Sequence, residues 1–237
     1  PLYLSDFSSF WSRLSEFDSS FTFEAHLRGK ADDIHVDSFR LWGSEEKMSL
    51  SLAGRVCNVS DPSLVSGELD RFGFDSPAEF NQKLIGLFPA MPDKIKSMIA
   101  SVGDLSVKTA GKFDLGDRHA DLLADISTSA GDIGVKTDLA WNERSFTVSD
   151  FSAKTETFDI GHLLADNRLG CVALDASGNL SVRGKQIEGK ISAFVPFVDF
   201  NTSRFENISV EAEKIADSLT AHAEISDRFA VLTADTD

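Results

Sequence analysis

Apolar and polar residues alternate along most of this chain, and the stretch from Phe158 to Lys185 displays the unit it is built from. A short amphipathic helical turn carries Ile160, Leu163 and Leu164, and an alternating strand starts after Gly170. Val172, Leu174 and Ala176 fall in one phase of that strand, while Cys171, Ala173, Asp175 and Ser177 fall in the other. This is the period-2 signature of a sheet with one apolar face. Gly178-Asn179 is read as an interruption, after which Leu180 and Val182 resume the pattern. Arg183-Gly184-Lys185 turns the chain into a strand carrying Ile187, Ile191, Ala193 and Val195. The same order appears near the start, where Phe7, Phe10, Trp11, Leu14 and Phe17 make a helical stripe. Phe21, Phe23, Ala25 and Leu27 then make a strand ending in Arg28-Gly29-Lys30. The two copies stand roughly 150 residues apart, a distance that fits an elongated array of similar hairpins.

Taken in order, Ser5-Asp6 caps the first helix, and strands follow over residues 19–29, 32–42 and 47–56. In the second of these the apolar phase passes from Ile34 and Val36 to Phe39 and Leu41, so a bulge near Asp37-Ser38 is expected to bend the sheet. Residues 58–75 look looser, with a turn at Asp61-Pro62. Ser76-Pro77-Ala78-Glu79 has the form of a capping box with proline at the first helical position, predicting a helix over 77–87. Pro89 and Pro92 end it, and residues 93–100 form a second short helix with Ile95, Met98 and Ile99. From Gly103 the strand pattern returns through Leu105, Val107, Thr109, Phe113 and Leu115, then Leu122, Ala124 and Ile126. It continues through Ile133, Val135, Leu139 and Trp141, then Phe146 and Val148, with turns at Gly116-Asp117, Gly131-Asp132 and Asn142-Glu143. Phe205, Ile208 and Val210, then Leu219, Ala221, Ala223 and Ile225, then Phe229 and Val231 extend the series.

The fold class is therefore mainly β, with antiparallel neighbours and a few short helices. Roughly 14 to 16 strands at about 4.8 Å each would make a sheet on the order of 70 Å wide, with an apolar face too long for so few helices to cover. Such a sheet folds over as a sandwich, closes as a barrel, or curves into a trough filled by something else. Residues 1–75, a helical insertion over 76–101 and residues 102–237 are the expected segments of one continuous unit cut from a longer protein.

Charge narrows the partners. A net charge of −15 and a pI near 4.7 oppose binding to a phosphate backbone, and no stretch clusters Lys and Arg with aromatics, so nucleic acid is excluded as a partner. No apolar run is long enough to span a membrane, and the start lacks the form of a signal peptide. Cys57 and Cys171 both fall in the polar phase of their strands, as one disulfide or as two thiols.

No catalytic constellation emerges. His26, His35, His119, His162 and His222 are scattered without metal-ligand spacing. Ser44-Glu45-Glu46-Lys47 matches S-x-x-K but lies in a charged turn. Aspartates at 32–33, 114–117 and 235–237 lack the spacing of a calcium loop and read as solvated turns. Asn58-Val59-Ser60 and Asn207-Ile208-Ser209 match the glycosylation sequon. A hydrolase or glycan-processing site would require carboxylates that only the fold brings together. No metal, cofactor or catalytic residue is assigned.

The order of parts supplies a resemblance. Asp6-Phe7-Ser8-Ser9-Phe10-Trp11, a strand ending at Gly29, Asp32-Asp33-Ile34 and the strand to Leu41 resemble the C-terminal half of the TamB family of AsmA-like proteins, as found in Bacteroidota. The helical middle before 105–111, and Phe158-Asp159-Ile160-Gly161-His162-Leu163-Leu164 followed by Leu169-Gly170, are similar to that family too, so the likeness covers nearly the whole chain. It implies a β-taco, a curved sheet with an apolar concave face, within a periplasmic bridge anchored in the inner membrane. It also implies a non-enzymatic role: moving phospholipid between inner and outer membranes and, with an outer-membrane barrel of the TamA type, assisting outer-membrane assembly. The family's membrane anchor and barrel-contacting region have no counterpart in these residues.

A path for lipid has to stay apolar throughout, because taking an acyl chain of roughly sixteen carbons out of a bilayer costs about 13 kcal/mol at ~0.8 kcal/mol per methylene. The candidate lining residues are Phe21, Phe23, Leu27, Leu50, Val107, Phe113, Ile126, Val135, Leu174, Ile191, Val210 and Ile225. The rival reading is a structural or protein-binding β module in which the same residues are a closed core. Alternation has the same form in both cases.

Overall fold

The computed structural model describes residues 2–3, 20–43, 47–86, 93–184, 186–216, 218–226 and 231–236. The helix expected at Phe7–Phe17, the first three residues of the S-x-x-K match and Phe229 lie outside these. The described chain is mainly β: an antiparallel sheet, not closed into a barrel, whose strands follow one another in chain order, with three short helices. It divides into two compact units.

The first unit comprises residues 1–110 and 126–129. It holds β1 (Leu2–Tyr3), β2 (Ser20–Lys30), β3 (Asp33–Gly43), β4 (Ser49–Cys57), β5 (Ser66–Ser76), α1 (Ala78–Gly86) and α2 (Asp93–Ser101). The first six residues of β6 (Leu105–Asp114) and the last three of β7 (His119–Thr128) also belong to it. The apolar phase survives pairing, because opposed residues of antiparallel strands share a face. Phe23 stands opposite Leu41, Leu41 opposite Leu50, and Leu50 opposite Phe74. The expected bulge in β3 is present: Val36 pairs Leu27 while Ser38 pairs His26, leaving Asp37 as the extra residue.

β5 is a strand that the sequence pattern does not reveal. Its apolar residues change phase between Leu69 and Phe72, where the pairing with β4 shifts from Leu69↔Gly54 to Arg71↔Ala53. A one-residue slip moves every later side chain to the other face, so a bulged strand loses its alternation in the sequence. The helix after it is present, but not with the expected cap. The Ser76 hydroxyl donates to Asn81 Oδ1 at 2.5 Å, and the Ala78 N–H goes to the Asp104 carboxylate at 2.9 Å.

The second unit comprises residues 111–125 and 130–237. Besides the rest of β6 and β7 it holds β8 (Gly131–Trp141), β9 (Ser145–Asp159), α3 (Ile160–Leu164), β10 (Leu169–Arg183) and β11 (Gln186–Phe200). β12 (Ser203–Ile215), β13 (Ser218–Ser226) and β14 (Val231–Thr236) complete it. Gly178-Asn179 does not interrupt β10, which runs unbroken for 15 residues. Glycine is needed there for close strand approach: a Cβ at Gly178 would stand 2.1 Å from the Lys190 carbonyl oxygen. β9 likewise extends well beyond Val148, with two register shifts against β10 that carry its apolar phase from Val148 to Phe151 and from Thr155 to Phe158. Pro196 falls where the β10–β11 register shifts, a position that tolerates a residue without an N–H. At the end of β9 the Asp159 carboxylate accepts the His162 N–H at 2.8 Å and so caps α3, whose C-cap Ala165 is left-handed.

Candidate functional site

In the first unit Phe21, Phe23, Leu27 and Leu50 share one face. Phe21 is 1% exposed, Phe23 54% and Leu27 60%, so side chains in one phase of one strand meet opposite environments. Phe21 packs against α1 and against Met48. Phe80 on that helix meets Phe21 edge-on, with ring centroids 6.4 Å apart and planes at 72°, and Met48 completes a buried cluster flanked by Leu41 and Phe74. Leu50 is half-buried, as are Val107 on β6 and Ile126 on β7.

In the second unit an unbroken cross-strand row runs Val135–Ala153–Ala176–Ala193–Val210–Ala223–Ala234. Beside it runs Thr137–Phe151–Gly178–Ile191–Ala212–Ala221. Ile225 lies in a further row with Val195, Ile208 and Leu232. Val135, Ile191, Val210 and Ile225 are thus gathered on one face, with Leu174 in the same phase as Ala176 and opposite Thr155. Phe113 is on the part of β6 in this unit and is half-buried. Ala176 is buried, yet Ile191 is 44% exposed, Ile187 45% and Phe146 41%. Large apolar side chains therefore flank a band of alanines and remain accessible. Thr155 is buried with no partner for its hydroxyl among the described residues, a polar atom enclosed on the apolar phase.

In the first unit the opposite phase carries charge. Arg55 binds both carboxylate oxygens of Asp33 at 2.7 Å, and Arg28 pairs Asp37 at 2.8 Å. The hydrogen bond from Arg55 holds the Asp33 carboxyl below its usual range. In the second unit Arg204 clasps Asp199 across the β11–β12 turn at 2.8 and 2.9 Å and lies 4.0 Å over the Phe197 ring. Asp166, bonded by the Arg168 side chain and backbone, is lowered to about 2. These pairs are exposed and fix hairpins and turns more than they add stability.

Sites for bond chemistry are weaker. A cavity of about 490 Å3 in the first unit is lined by Lys47, Asp75, Asp104, Leu105 and several hydroxyl residues. Both carboxylates there are engaged: Asp75 accepts from Ser49 and Ser106, and Asp104 accepts the Ala78 N–H. Among the described residues no group of three or more His, Cys, Asp and Glu is placed to hold a metal, and no helix is long and apolar enough to cross a membrane. His119 bonds Asp138 at 3.2 Å and His26 meets Ser38 at 3.1 Å, in different units. Cys57 and Cys171 are free thiols.

Sequence reasoning passed over Phe80 and Asn81. Both lie in the predicted helix, and Phe80 is the sole aromatic of α1, which was the available signal; its partner Phe21 is remote in sequence. No family model, curated protein or solved structure matches the chain.

Proposed function

We propose that the apolar faces of this sheet bind the acyl chains of phospholipid, and that the chain is a non-enzymatic segment of a TamB-like periplasmic bridge conducting lipid between the inner and outer membranes. The observation that carries this reading is the second unit's face. One row of Val and Ala is continuous across seven strands and a neighbouring row carrying Phe151 and Ile191 crosses six, yet Ile187, Ile191 and Phe146 are 41–45% exposed. A folded chain that leaves large contiguous apolar surface accessible is equipped to meet something apolar. Alternating small and large side chains make weak, non-directional contacts, which suit a ligand that slides along the surface better than one held in place. The phospholipid, a TamA-type outer-membrane barrel and the periplasmic location are parts of this same proposal.

A second reading, a structural or protein-binding β module, is favoured at one place: the buried Phe21–Met48–Phe80 cluster is an ordinary closed core. Equilibrium binding of a fluorescent long-chain phospholipid to the purified protein separates the two. The lipid-binding reading predicts saturable binding that competes with unlabelled phospholipid and disappears in Ile191→Asp. Absence of binding to the folded wild-type protein sinks it and leaves the structural module.

A further inference from the structure

We infer that α1 is a fixed end wall of the apolar face in the first unit, with Phe80 occupying the place where an acyl chain would otherwise continue. The inference rests on the lipid-binding reading and gives that surface a defined end. Along β2, Phe21 and Phe23 point to the same face, roughly 7 Å apart. Phe80 covers Phe21 and, with Met48, Leu41 and Phe74 around it, closes that end of the face. Phe23, in a row whose Leu41 and Phe74 pack against that cluster, is the first side chain of β2 left open, and Leu27 beyond it is more exposed still.

The wall is built to stay in place. Asn81, next to Phe80 and 4% exposed, donates from Nδ2 to the Gly103 carbonyl at 2.8 Å and accepts from the Ser76 hydroxyl at 2.5 Å. Ser76 ends β5 and is itself 3% exposed, so a buried side-chain network ties the helix to the strand before it and to the loop that leads into β6. The Asp104 carboxylate holds the Ala78 N–H at the helix start. Buried, satisfied polar networks of this kind fix one geometry and oppose rocking of the helix off the sheet. The Ser76–Asn81–Gly103 bonds that hold α1 are enclosed or partly enclosed, and only the Ala78–Asp104 bond at its start is exposed.

The test is photocrosslinking with a phosphatidylcholine whose palmitoyl chain carries a diazirine at its terminal carbon, with crosslinked residues mapped by mass spectrometry. The expected wild-type map has crosslinks at Phe23 and Leu27 and none at Phe21 or Met48. Phe80→Ala extends the map to Phe21 and Met48, with the fold checked by amide hydrogen exchange across β2–β5. If that variant unfolds, the wild-type map and the milder Phe80→Leu decide. Wild-type crosslinks at Phe21 or Met48, or a Phe80→Ala map unchanged in a folded protein, overturn the wall and leave lipid binding standing. Crosslinks confined to the second unit do the same, whereas crosslinks nowhere on either apolar face overturn both.

Discussion

Phe21 and Phe23 sit two residues apart on one face of one strand, yet the first is 1% exposed and the second 54%. The contrast recurs on a larger scale between the end of the first unit under α1, where aromatic residues are enclosed, and the face of the second unit, where Ile187 and Ile191 remain accessible. Strand alternation decides only which side of the sheet a residue occupies. Whether that side is core or surface depends on what lies on it, and for Phe21 the answer is the cluster it forms with Phe80 of α1 and with Met48.

The comparison is broken most forcefully at Phe80. Phe80→Ala removes the ring from a site that is 2% exposed and is expected to cost about 3–5 kcal/mol, read as a lowered urea midpoint at unchanged m. The opposite sign is expected at Thr155. Its hydroxyl is buried without a partner among the described residues, and Thr155→Val substitutes a methyl of similar shape, so a gain of about 1 kcal/mol should appear in the same assay. A loss there would mean that the hydroxyl has a partner in solution. At the ion pairs the effects are smaller and local. Because the folded-state pKa of Asp166 lies below its ordinary value of 3.8, the Arg168 contact contributes at all higher pH and is lost as pH falls from about 3.8 through about 2. NMR titration of the Asp166 carboxyl carbon should give a midpoint near 2, and Arg168→Ala should return it toward 3.8.

Much of the fold is legible in the sequence wherever a strand keeps one phase. β2, β4, β8 and β12 announce themselves by alternation, the Asp37 bulge by a single slip between Val36 and Phe39, and α1 by the prolines that bound it. What escapes are the strands with slips inside them: β5 between Leu69 and Phe72, and β9 at both Val148 and Phe158. A bulge costs the pattern its period while the backbone continues to pair, so the eye ends a strand that the sheet prolongs. Gly178 misleads in the opposite way, reading as a break where it serves close packing against Lys190. Phe21, Phe23, Leu27 and Leu50 share one face, and Val135, Ile191, Val210 and Ile225 another, because phase is a local property. The enclosure of Phe21 and the openness of Phe23 were invisible, since both follow from where α1 docks.

The most direct measurement is thermal unfolding of Ile191→Asp with the phospholipid content of the same samples determined by native mass spectrometry. An open, lipid-binding face predicts a melting temperature within a few degrees of wild type, because a 44% exposed position carries a charge for about 1 kcal/mol or less, together with loss of lipid that the wild type carries. A wild-type protein free of lipid, and a variant that no longer folds, would mean that Ile191 belongs to a closed core and would contradict the account.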